Sequence, residues 1–113
     1  MMSSSRGKPE AEIRAQLAAI KDIIVKTIPV EQIYLFGSYA YGTPHDYSDL
    51  DFYVVMKDDS PYQELDAESL ITDALYGRTL IPIDILVIKK TKFDYRRFAA
   101  TLEREVANKG MLL

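Results

Sequence analysis

Apolar residues recur every three or four positions in three segments of the chain, and this period predicts three amphipathic helices. The first, Glu10–Thr27, ends before Pro29 and is expected to cover one face of a sheet. The second is Tyr62–Tyr76, closed by Gly77, and the third is Thr91–Asn108. The third helix carries an apolar stripe that is expected to lie in the core: Tyr95, Phe98, Leu102 and Val106.

Three other segments have the composition and the two-residue period of strands: Gln32–Phe36, Asp49–Met56 and Leu80–Ile88. Residues 111–113 form too short a segment to assign. A small mixed β-sheet covered by α-helices, which is an α/β fold, follows from this order of elements. Alternation along the second strand predicts which of its side chains face the core: Leu50, Phe52, Val54 and Met56.

Two carboxylates, Asp49 and Asp51, open the second strand and point to the same face because the side-chain period of a strand is two. Two like charges held this close repel each other. A divalent cation with oxygen ligands would relieve the repulsion, and this arrangement is typical of a metal site. The alternative interpretation is a solvated strand start.

A tight turn, Gly37-Ser38, follows the first strand. Glycine lets the backbone approach a ligand, and Ser38 is suited to cap a short helix whose first N–H groups would bind phosphate. Phosphate donors and metal-binding acceptors would then lie on adjacent segments, which suits a nucleoside triphosphate with magnesium. Without the carboxylates, the same residues would indicate an ordinary strand-to-helix turn.

A third carboxylate, Asp84, lies within the apolar third strand, where an ionised group is costly unless it is paired. It could form an ion pair with a base such as Arg78, or it could be a third metal ligand beside Asp49 and Asp51. Pro82 lacks a ladder donor, so we expect it at the start of the strand or on an edge of the sheet.

Composition narrows the functional classes. The chain has 113 residues, 48% of them hydrophobic, and a net charge of −3, which argues against broad nucleic-acid binding. It has no cysteine and one histidine, His45, so thiolate and multi-histidine metal sites are excluded and a cytoplasmic location is expected. His45 could contact a ligand or be a solvated loop residue.

We expect a polar tail over residues 1–9, a single domain over 10–113, and no membrane segment.

The run from Gly37-Ser38 through ten residues to Asp49-Leu50-Asp51 resembles the GS-x10-DxD signature of the nucleotidyltransferase superfamily related to DNA polymerase beta. Asp84 resembles the third carboxylate of that family. The small size is similar to its minimal branch, the MNT proteins. The resemblance covers roughly Ile33 to Ile88 and implies the nucleotidyltransferase fold.

The resemblance implies a role for each of these residues. Asp49, Asp51 and Asp84 would be the catalytic and metal-binding carboxylates, with two Mg²⁺ ions, or Mn²⁺ in their place. Asp84 would also help to activate the attacking hydroxyl, and Gly37 and Ser38 would hold the triphosphate of ATP. This chain departs from the family pattern in one respect, because Tyr39 and Tyr41 stand in a turn where many members carry arginine.

The resemblance also implies a partner. Beyond Ile88 the sequence predicts only one helix, so we expect another protein to hold the acceptor. In the minimal branch this protein is typically a helical HEPN toxin, and the MNT protein acts as its antitoxin by moving AMP from ATP to a hydroxyl on it. Two alternatives are a non-catalytic antitoxin that acts by occlusion and a nucleotidyltransferase for a small molecule of the aminoglycoside type.

Overall fold

A computed structural model of the chain describes residues 10–36, 50–79, 82–98 and 102–113. The helices and strands in these ranges pack as an α/β fold, as the sequence predicts. In chain order they are α1 (Glu10–Thr27), β1 (Val30–Phe36), β2 (Leu50–Met56), α2 (Glu64–Leu75), β3 (Ile83–Lys89), α3 (Lys90–Arg96), α4 (Leu102–Lys109) and β4 (Met111–Leu112).

The strands form one mixed sheet in the order β3-β2-β1-β4. β2 runs antiparallel to β1 and parallel to β3, and α2 makes the crossover between the two parallel strands. Pro82 directly precedes β3, an edge strand, as expected from its missing N–H. Edge strand β4 pairs with β1 through Tyr34 and Leu35. The sequence did not reveal β4, because two residues are too few to show a period.

One face of the sheet packs against α1 and α2. The predicted core positions of β2 are fully buried there, together with side chains of both helices. Ile20, Ile24 and Ile28 contribute from α1 and its end, while Ala67, Ile71 and Leu75 contribute from α2. The sequence predicted α1 with its observed bounds, and its apolar period corresponds to the buried face.

The other face of the sheet packs against α3 and α4, and here the prediction of one continuous helix over Thr91–Asn108 is wrong. Phe93 of α3 and Val106 of α4 are both fully buried in the same cluster as Tyr34 and Tyr53. In a straight helix their Cα atoms would lie about 20 Å apart, at 1.5 Å per residue. Two short helices bring both side chains onto one cluster.

The predicted apolar stripe of this segment is also wrong at three of its four positions. Val106 is buried, but Tyr95 and Phe98 are 83% and 82% exposed and Leu102 is 45% exposed. Phe93, which lies outside the stripe, takes the core position instead and contacts the rings of Tyr34 and Tyr53, with 5.7 Å between centroids in each pair. Because α3 ends at Arg96, the residues that follow no longer share its face.

Gly77 ends α2 as predicted. Tyr76 has φ −57° and ψ 126°, Gly77 has φ +74°, and Arg78 N–H donates to the carbonyl of Leu75 at 2.9 Å. These values define a type II turn, which requires a positive φ at its third residue and therefore favours glycine. The turn directs the chain from α2 towards β3.

Candidate active site

Asp51 and Asp84 are register partners on the neighbouring parallel strands β2 and β3. Phe52 and Ile85 pack in the cluster under α1 and α2, so the two carboxylates point to the opposite face of the sheet. Neighbouring strands lie about 4.8 Å apart. The structure therefore brings together two of the three carboxylates that the sequence singled out, from positions far apart in the chain.

The first residues of β2 and the end of β1 surround this pair. Asp51 faces Phe36, the last residue of β1, across the antiparallel ladder. Leu50 N–H donates to the carbonyl of Pro82 at 2.9 Å, and this bond fixes the register of β2 and β3 at the carboxylates. Asp51 is partly buried, whereas Asp84 is exposed on the edge strand. The pair is thus open to solvent from the β3 side.

The remaining predicted site residues, Gly37, Ser38 and Asp49, lie outside the described residues, as do His45 and the tyrosines at positions 39 and 41. Their roles stay predictions. The sequence places Gly37 directly after Phe36 and Asp49 directly before Leu50, the two ends that meet beside Asp51. Within the described ranges, no cluster of three or more His, Cys, Asp or Glu side chains could hold a metal ion.

The donor chemistry of Asp51 and Asp84 fits a hard divalent cation. Both offer carboxylate oxygens, which Mg²⁺ prefers. Like charges directly opposite each other destabilise a sheet, and a bound cation offsets such repulsion. An ion pair between Asp84 and Arg78 would have removed the need for a cation, but Asp84 forms no ion pair within the described part of the chain.

A buried polar cluster that the sequence did not reveal lies further along the same face. Tyr53, two residues after Asp51, donates its hydroxyl to Glu103 Oε2 at 2.5 Å. Arg96 Nε donates to the other oxygen of that carboxylate at 2.7 Å. Glu103 is only 6% exposed. The strand period places Tyr53 on the face of Asp51, but no local pattern links it to Glu103, fifty residues away.

These contacts shift the pKa values of the groups in the cluster. Burial acts to raise the pKa of Glu103, but the hydrogen bonds from Tyr53 and Arg96 outweigh it and hold the pKa below its ordinary value. Burial, and then the hydrogen bond to Glu103, raise the pKa of Tyr53 far above its ordinary value. At neutral pH the cluster therefore contains a neutral phenol, a carboxylate and a guanidinium.

A cleft of about 370 Å³ adjoins this cluster, on the part of the sheet that follows the carboxylate pair. Its floor is formed by the register partners Tyr53 and Leu86, which are each two residues on from Asp51 and Asp84. Lys92, Arg96 and Leu102 are among its other lining residues. The candidate site thus continues along the sheet into a cleft with a mixed apolar and charged lining.

The family model described as polymerase beta, nucleotidyltransferase matches residues 18–111 of the chain. The chain therefore belongs to this family, and its sheet and helices form a nucleotidyltransferase-type domain. The match includes β1, β2 and β3 and so contains both Asp51 and Asp84. Among curated protein sequences, none matches the chain significantly.

Two solved structures are similar in fold. One is described as a candidate nucleotidyltransferase from Sulfolobus solfataricus, with 24% identity, a TM-score of 0.51, and coverage of 79% of this chain and 83% of that one. The other is described as a toxin–antitoxin with AMP-PNP, with 25% identity, a TM-score of 0.54, and coverage of 84% of this chain and 69% of that one. No helix in the described residues is long and apolar enough to cross a membrane.

Proposed function

We propose that the protein is a metal-dependent nucleotidyltransferase that moves AMP from ATP to a hydroxyl on a partner protein. The partner we propose is a HEPN-type toxin, which this chain would neutralise as its antitoxin. The observation that carries the proposal is the register pair Asp51 and Asp84, which lies beside the end of β1 in a chain of the polymerase beta nucleotidyltransferase family. Paired carboxylates of this kind are suited to share a divalent cation.

The transfer is an in-line displacement at the α-phosphorus of ATP. The acceptor oxygen forms a bond to that phosphorus while the bond to the pyrophosphate oxygen breaks, and pyrophosphate leaves. Asp84, on the exposed edge strand, takes the proton of the acceptor hydroxyl as general base. Divalent metal ions of the kind that this family generally uses would stabilise the negative charge on the phosphates, held by Asp49, Asp51 and Asp84. Gly37 and Ser38 would hold the triphosphate.

Two observations support the nucleotide and the partner. The similar structure described as a toxin–antitoxin contains AMP-PNP, an analogue of ATP. The cleft lined by Tyr53 and Leu86, two residues along the strands from the carboxylate pair, has room for an acceptor side chain. Both observations favour an antitoxin that transfers a nucleotide to its toxin.

The test is intact-protein mass spectrometry of a HEPN-type toxin, the proposed partner, after co-expression with this chain. The wild type should add one or more adenylyl groups, and Asp51→Asn and Asp84→Asn should add none. Asp59→Asn is the matched control, because Asp59 is an exposed aspartate in the turn after β2. A partner that is bound and silenced without any added mass would overturn the enzymatic function in favour of occlusion.

A further inference from the structure

The hydrogen bonds of β3 show which of its backbone groups face outward from the sheet. The carbonyl of Pro82 accepts from Leu50 of β2, so even-numbered residues of this segment direct their backbone groups inward. The N–H groups of Val87 and Lys89 donate to side chains of α2, so odd-numbered residues direct theirs outward. By this alternation, the N–H and C=O groups of Ile83 and Ile85 lie along the free edge.

Among the residues that the structure describes, only those on one half of this edge are capped. Glu64 accepts from the N–H of Lys89 at 2.9 Å, and Glu68, one helical turn later, accepts from Val87 at 3.1 Å. Thr72 occupies the next position in this series, but its shorter side chain makes no hydrogen bond to β3 in the described structure. No described residue accepts from Ile83 or Ile85. Unpaired edge groups of this kind are a template for another strand.

The uncapped half of the edge coincides with the candidate active site. Asp84 lies between Ile83 and Ile85, and its side chain points to the face that carries Asp51. An antiparallel strand that pairs with Ile83 and Ile85 would face Asp84 at a non-hydrogen-bonded position, where Cα atoms are about 4.5 Å apart and side chains lie closest. One side chain of that strand would therefore lie directly beside the carboxylate.

A second copy of this chain is a poor occupant for the edge. Symmetric antiparallel pairing of residues 83–85 with the same residues of another copy would be centred on Asp84. It would place two Asp84 carboxylates directly opposite each other, and opposed like charges are destabilising. A segment with a neutral hydroxyl at that position avoids the repulsion and can donate a hydrogen bond to Asp84.

We propose that the partner protein presents its acceptor hydroxyl on an extended segment that pairs with the edge of β3 at Ile83 and Ile85. This inference rests on the proposed function and specifies how its acceptor is held. Main-chain hydrogen bonds fix the segment, and its residue opposite Asp84 supplies the attacking oxygen and gives its proton to that carboxylate. The bond changes are those of the adenylyl transfer described above.

Amide hydrogen exchange, followed by nuclear magnetic resonance, tests this docking at single residues. The probe is the HEPN-type toxin of the proposed function, bound to the ¹⁵N-labelled chain. We expect the amides of Ile83 and Ile85 to exchange at least tenfold more slowly in the complex. Val87 and Lys89 are internal controls on the same strand, because their amides are already bonded to α2, and their exchange should not change.

Two substitutions at position 85 distinguish the effect of losing the backbone N–H from the effect of changing the side chain. Ile85→Pro removes the outward N–H, and proline is tolerated where an edge-strand N–H faces solvent. Ile85→Val is the control, because it keeps the N–H and makes only the side chain smaller. We expect Ile85→Pro to slow modification of the partner at least tenfold relative to Ile85→Val, with melting temperatures of the two variants within a few degrees.

The outcomes distinguish this inference from the proposed function. A partner that is adenylylated, with unchanged exchange at Ile83 and Ile85, would overturn the edge docking and leave the adenylyl transfer in place. A partner that binds but is never modified would overturn both. If Ile85→Pro does not fold, the exchange measurement on the wild-type chain still decides the question.

Discussion

Asp51 and Asp84 occupy the same register position on neighbouring parallel strands, with their carboxylates on one face of the sheet. In the proposed function, a bound cation offsets the repulsion between them and Asp84 acts as the general base. Asp84→Asn should therefore abolish most of the transfer, with a loss of about 10²–10⁴-fold, which is typical for a general base. Initial rates of partner modification measure this loss. Asp59→Asn should keep the wild-type rate.

The same substitution should not destabilise the metal-free protein. Because Asp84→Asn removes one of two opposed charges, we expect the metal-free melting temperature to stay the same or rise. A collapse of the fold in Asp51→Asn or Asp84→Asn would mean that the two carboxylates serve stability rather than chemistry. Circular dichroism melts in the presence of a chelator provide the measurement.

Metal binding should appear as a shift in the same melts. A ligand present at 100 times its dissociation constant stabilises a fold by about 2.7 kcal/mol, and about 1 kcal/mol shifts the melting temperature of a domain of this size by roughly 4–8 °C. Mg²⁺ or Mn²⁺ at such a concentration should therefore raise the melting temperature of the wild type by roughly 10–20 °C. The rise should be lost in Asp51→Asn and kept in Asp59→Asn. Equal shifts in all three proteins would indicate non-specific binding.

The three longer strands and their faces could be predicted from the sequence, but β4 and the contacts between distant elements could not. A two-residue period is enough to place Asp51 and Asp84 opposite the core residues of their strands. No glycine or proline marks the end of α3 after Arg96, and the apolar period of the sequence continues through Leu102, so the pattern predicts one helix. Likewise, the caps from Glu64 and Glu68 depend on where α2 crosses β3, and no local pattern encodes that crossing.

Tyr53→Phe should destabilise the fold by about 1–3 kcal/mol, which is the cost of leaving a buried polar group without a partner. The substitution removes the hydroxyl that donates to Oε2 of Glu103, whereas the bond from Arg96 to the other oxygen remains. Urea unfolding at pH 7 measures the change. Tyr95→Phe removes the same atom from a side chain that is 83% exposed, and its unfolding free energy should stay within about 0.5 kcal/mol of the wild type. Equal effects would contradict the role of the buried hydrogen bond.

Glu103 should also make the protein sensitive to acid. Its folded-state pKa lies below its ordinary value, so in acid the unfolded chain binds the proton more readily than the folded one. The contribution of this carboxylate is therefore present above its unfolded pKa of about 4.3 and is lost as the pH falls through its folded pKa. Unfolding free energies from pH 7 down to pH 3 should fall less steeply in Glu103→Gln than in the wild type. Parallel curves would rule out a linked titration of Glu103.

Gly77→Ala should cost about 1–2 kcal/mol, because an L-residue with a side chain is strained at φ +74°. Among the described residues, no atom beyond the two chain neighbours lies within 4 Å of the added methyl group, so we expect a cost in backbone conformation. Gly77→Asn should recover part of the loss, since asparagine tolerates the left-handed region. Chemical unfolding of the two variants tests this order. If alanine is as stable as glycine, the turn does not hold this conformation in solution.

The two-residue strand β4 should separate from the sheet more easily than the three longer strands do. It joins β1 through Tyr34, Leu35 and a bond from Leu113 N–H to Ile33, yet Met111 and Leu112 remain largely exposed. Only a few hydrogen bonds offset the entropy that is lost when these distant parts of the chain are joined. The free energy needed to open β4 should therefore be far smaller than the free energy of global unfolding. The sheet would then alternate between four strands and three. Each opening would expose the second edge of β1, the strand that leads into the Gly37-Ser38 turn.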